Sequence, residues 1–73
     1  MDAMRLSEEE RRFISYLHTR GGSAYLFEVR RALNLPHTSA WRMARRLSEI
    51  GLVSIAKVRS GKRELLKIFL KRR

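Results

Sequence analysis

Between Val29 and Val53 the chain reads V-R-R-A-L-N-L-P-H-T-S-A-W-R-M-A-R-R-L-S-E-I-G-L-V, and this stretch limits the fold more than any other. Leu26, Val29 and Leu33 recur at helical spacing and stop at Asn34. Ala40, Met43, Ala44, Leu47 and Ile50 form a second helical stripe after Pro36. Asn tolerates the left-handed conformation that ends a helix, and Pro cannot continue one. The two helices must therefore turn on each other across Asn34, Leu35 and Pro36, with Leu35 folded under the turn. Gly51 closes the second helix, which is expected from His37 to Ile50, with Thr38, Trp41, Arg42, Arg45 and Glu49 opposite its apolar stripe.

The flanks complete a small unit. Ser7-Glu8-Glu9-Glu10 has the form of a capping box, and its carboxylates suit the positive end of a helix dipole. Phe13, Ile14 and Leu17 share a face, with Tyr16 at its border, and Gly21-Gly22 stops the helix, which gives a first helix from Glu8 to Arg20. Ser23-Ala24-Tyr25 fits a helix start or a short extended piece equally well. After Gly51 the period changes. Leu52 to Arg59 and Arg63 to Leu70 read as the strands of a hairpin, with Ser60-Gly61 as its two-residue turn. The expectation is a single domain over residues 1–73, mainly α with a small β-hairpin.

Charge narrows the partners. The chain holds 17 Lys plus Arg against 7 Asp plus Glu, a formal net charge of +10 in 73 residues. A domain this small and this basic repels copies of itself and attracts polyanions, nucleic acid first and anionic membrane second. Thirteen of the cations are Arg, whose planar fork suits phosphates and guanine edges better than a point charge does. Without Cys there is neither disulfide nor thiolate metal site, and the two His lie far apart. No apolar run approaches the roughly 20 residues that span a bilayer, and no leader is evident, so a soluble, cytoplasmic protein is expected. The acids offer no paired carboxylates and there is no Gly-rich phosphate loop, so neither catalysis nor a cofactor is expected.

The order helix, short piece, helix, turn, basic helix, hairpin resembles a winged helix-turn-helix domain. It is similar to the DNA-binding domains of prokaryotic regulators of the arsenical-resistance and multiple-antibiotic-resistance types. The resemblance covers nearly the whole chain and is most specific from Glu28 to Val53, with its Gly-Leu-Val exit. It implies core positions at Val29, Leu33, Leu35, Ala40, Ala44, Leu47 and Leu52. It also implies a recognition face with Thr38, Ser39, Trp41, Arg42 and Arg45, and a wing tip from Arg59 to Arg63. The chain departs from the family pattern at Arg30, where a small residue is usual, at Asn34 in place of Gly, and at Ala40 in place of Val or Ile.

The residues themselves suggest a division of labour. Arg42 and Arg45 have the geometry to pair with guanine in a major groove, or with phosphates alone. Thr38 and Ser39 in the first turn suit a phosphate or cap the helix, and His37 beside them is a further phosphate contact. Trp41 is read equally as core cover or as a side chain at the groove edge. At the tip, Arg59, Ser60, Gly61, Lys62 and Arg63 cluster cations for a neighbouring minor groove or backbone, whereas Arg46, Arg30 and Arg31 lie at the flanks, where phosphate contact and free solvation are equally plausible, and Arg46 is counted with the DNA-binding residues. The expected function is sequence-specific binding of double-stranded DNA by a small transcriptional regulator. The alternatives are a nucleoid-type or RNA-binding protein, or a protein-docking module.

A homodimer is also expected. Phe13, Ile14, Tyr16 and Leu17 on the first helix, with Leu65 and Phe69 on one face of the last strand, exceed what so small a core needs. Pairing the first helix (8–20) and the last strand across a two-fold axis would set two recognition helices roughly 34 Å apart.

Overall fold

A computed structural model describes residues 5–71. Three helices, α1 (Glu8–Thr19), α2 (Leu26–Leu33) and α3 (His37–Glu49), are joined to three strands, β1 (Ser23–Tyr25), β2 (Val53–Ser60) and β3 (Arg63–Leu70). The fold is mixed α+β and compatible with a winged helix-turn-helix topology. Its sheet is larger than a bare hairpin: β1 pairs antiparallel with β3, giving the order β1-β3-β2. Ser23-Ala24-Tyr25 is thus extended, not a helix start. Among the described residues no helix is long and apolar enough to cross a membrane.

Local chemistry sets the helix ends. The Ser7 Oγ accepts from the Glu10 N–H at 3.1 Å while the Glu10 carboxylate accepts from the Ser7 N–H at 2.9 Å, which closes the capping box. At α2 the Glu28 carboxylate likewise reaches back to the Tyr25 N–H at 2.9 Å. All three helices end on a left-handed residue: Gly21 (φ 81), Asn34 (φ 56) and Gly51 (φ 87). At each, the next N–H returns to a carbonyl five residues back, Gly22 to Leu17, Leu35 to Arg30 and Leu52 to Leu47, at 2.8–2.9 Å. Those bonds satisfy carbonyls that the helices would otherwise leave orphaned.

The hairpin turn differs by one residue from the sequence expectation. Ser60 pairs with Arg63, so Gly61-Lys62, and not Ser60-Gly61, form the loop. Gly61 has φ 62 and Lys62 has a negative φ, the sign pattern of a type II′ turn, which takes Gly at its first central position. β2 accordingly runs one residue further than expected.

The core lies between the helices and one face of the sheet. Phe13, Leu17, Val29, Ala40, Ala44, Leu47, Val53 and Ile68 are fully buried, with Ala24 and Leu26 nearly so. Leu33, Leu35, Leu52, Leu66 and Leu70 pack against them half-buried. Directly paired residues share a face of a sheet. Ile68 therefore points inward with its partners Ala24 and Ile55, and Lys67 and Phe69 point outward with Tyr25, Ser23 and Ser54. Arg30 is half-buried at the edge of α2, which spares the helix contact a buried charge. The end of β3 ties two helix exits together: the Leu70 N–H donates to the Gly22 carbonyl at 2.7 Å and the Lys71 N–H to that of Leu52 at 3.0 Å.

Candidate nucleic-acid interface

α3 separates its faces cleanly. Ala40, Ala44 and Leu47 are fully buried, so the helix rests on this stripe. The opposite side exposes Thr38, Arg42, Arg45 and Glu49. Arg45 Nε lies 3.5 Å from Glu49 Oε2, an exposed pair one turn apart. Such a pair contributes only about 0.3–0.5 kcal/mol, so an incoming phosphate or base edge can displace it. Arg42 has no carboxylate within ion-pair distance among the described residues.

Arg46 is placed differently from the other α3 arginines. Its Nε lies 2.7 Å from Glu10 Oε2, whose side chain is only 8% exposed. The guanidinium thus links α3 to α1, and its structural role is clear from the geometry alone.

At the helix start, Pro36 occupies the N-cap and no side chain caps α3. The hydroxyl-capping role considered for Thr38 and Ser39 is therefore not what the structure shows. His37 and Thr38 are exposed and Ser39 is half-buried, beside an N-terminus whose first N–H groups point outward. Trp41 packs against the core, half-buried, so at least part of its ring serves as cover.

The hairpin carries the second cationic group. From Ala56 to Glu64 every side chain but Val58 is exposed, so the distal half of the hairpin stands clear of the helices. The molecule measures 44 × 26 × 21 Å. Arg59, Lys62 and Arg63 at the tip have no carboxylate within ion-pair distance among the described residues, although Glu64 faces Arg59 across the strands.

Of the apolar residues expected in surplus on α1, Phe13 and Leu17 are fully buried, and Ile14 and Tyr16 pack half-buried on the core. The large apolar side chains that stay exposed, among the described residues, are Phe27 and Phe69.

Two sets of residues near these surfaces were not singled out from the sequence as site residues. Glu49 sits in the middle of the exposed α3 face, a position visible in the helical period. Tyr25, Lys67 and Phe69 come together on the outer sheet face, which requires the pairing of β1 with β3, and Phe27 at the start of α2 stacks on Tyr25. Compared with protein-family models, curated proteins and solved structures, the chain matches none of them.

Proposed function

We propose that the protein binds double-stranded DNA sequence-specifically and acts as a small transcriptional regulator in the cytoplasm. α3 enters the major groove with Arg42 and Arg45 toward the bases, and Thr38, Ser39 and His37 meet a phosphate at the helix start. The tip, Arg59 to Arg63, reaches the neighbouring backbone or minor groove. One observation carries the reading: Ala40, Ala44 and Leu47 are fully buried under α3 while Arg42, on its far side, is exposed and has no acidic partner among the described residues. A charge in that setting is balanced only by solvent ions or by a polyanion, whose counterions are released on binding.

A nucleoid-type binder would use the same cations without reading bases. Selection of bound sequences from a random duplex pool separates the two. A regulator enriches a defined site and holds it at least about a thousandfold tighter than random duplex; a pool that stays random after selection would overturn the regulatory reading.

A further inference from the structure

The outer face of the sheet holds an aromatic and cationic cluster that the duplex-binding reading does not use. Tyr25 and Phe27 stack with ring centroids 5.9 Å apart and planes 21° apart. Lys67 Nζ lies 5.2 Å from the Tyr25 ring and 5.4 Å from the Phe69 ring, between the two. Phe27 is 42% and Phe69 36% exposed. Each borders an open cleft. The cleft beside Phe27, about 190 Å³, is lined also by Arg30, His37 and Glu64; that beside Phe69, about 350 Å³, by His18 and Lys71.

We propose that this face is a binding surface for single-stranded DNA. Unpaired bases stack on Phe27 and Phe69, and Lys67 between them meets the phosphate that links neighbouring nucleotides. Exposed aromatic faces alternating with cations are what a single strand requires, because every base has a π-face and every linkage a negative charge. Charge decides between occupants. A second copy would bring its own +10 and would bury Lys67 at the centre of the contact, where interface cores are depleted of charge. A polyanion instead gains from Lys67 and from Lys71, which lines the cleft beside Phe69. His37, at the start of α3, lines the cleft beside Phe27. The aromatic cluster stands on its own observations and not on the duplex reading.

The test measures binding of a labelled short oligothymidylate, an abasic oligomer of equal length and a blunt random duplex. The proteins are the parent chain and its Phe27→Ala, Phe69→Ala, Phe27→Leu, Phe69→Leu and Arg42→Ala variants. Stacking on an aromatic side chain, read by alanine substitution, corresponds to a loss of roughly 5- to 140-fold per base. Each Phe variant is expected to weaken oligothymidylate binding by that much and to leave blunt-duplex affinity within about twofold. The Leu variants keep the apolar bulk and lose the stacking face, so they show the same loss without a folding defect. Arg42→Ala is expected to do the reverse, weakening duplex and sparing the single strand, so the two readings fail separately. Three results would overturn the proposal: Phe variants that bind oligothymidylate like the parent, an abasic oligomer that binds equally well, or a dimer in sedimentation equilibrium that Phe69→Ala converts to monomer.

Discussion

Arg46 and Glu10 join α3 to α1 through a 2.7 Å contact between Nε and Oε2, and the same carboxylate closes the capping box of α1 with its other oxygen. One buried glutamate thereby fixes a helix end and the approach of a second helix. Glu28 repeats the device at α2, taking the Tyr25 N–H on one oxygen and Arg20 at 3.1 Å on the other.

Arg46→Ala should therefore lower stability more than DNA affinity. It leaves the Glu10 carboxylate buried with only its capping bonds, and Arg46 itself is 54% exposed. Solvent screening reduces the loss from the several kcal/mol of a fully buried pair to about 1–2 kcal/mol. Urea titration of Glu10→Gln, Arg46→Ala and the double variant gives the coupling directly. A coupling near zero would mean the contact does not hold the two helices together.

Duplex binding should weaken steeply with salt. If α3 and the wing neutralise about five phosphates, the log–log slope of affinity against salt is roughly −4 to −5. Titration at several salt concentrations measures it, and a flat response would remove the electrostatic basis of the reading.

The two cationic groups should differ in kind. Arg42→Ala and Arg45→Ala should reduce discrimination between selected and random duplex, by about 1–3 kcal/mol for a side chain in bidentate base contact. Arg59→Ala and Lys62→Ala should weaken both duplexes alike. Glu49→Ala, which frees Arg45, should strengthen binding to random duplex. Equal losses on both duplexes for all four cation variants would show that α3 does not read sequence.

Asn34 stands in the left-handed region without being glycine. Asn34→Ala should cost about 1 kcal/mol, a fall in Tm of roughly 4–8 °C for a domain of this size. Asn34→Gly should hold or raise the Tm, because Gly enters that conformation without steric penalty. Thermal melts of both check it: an unchanged alanine variant would show that the turn relaxes to another conformation.

What was legible in the sequence was local. Ser7 and Glu10 lie one turn apart, and Gly21, Asn34 and Gly51 each announce a left-handed helix end, so the helices follow within a residue. The buried stripe of α3 and its exposed arginines follow from the helical period alone. The hairpin turn is displaced by one because Ser60-Gly61 and Gly61-Lys62 both suit a two-residue loop, and only the cross-strand register distinguishes them. β1 is too short to show alternation. The Arg46–Glu10 contact and the Tyr25–Lys67–Phe69 cluster depend on segments brought together from opposite ends of the fold, which no local pattern encodes.

The two bonds at the end of β3, from Leu70 to Gly22 and from Lys71 to Leu52, also set a timetable. β1 finds its partner only after both remaining helices and the hairpin have been made, and the fully buried Ile68 arrives with that partner. Until then the core is open, with Phe13, Leu17 and Val29 lacking the strand that covers them. Long-range pairing of this kind slows folding relative to a bundle of the same helices. The unfinished chain exposes apolar surface that the finished one hides. Docking of β3 is thus the step that turns a set of helices into one cooperative unit.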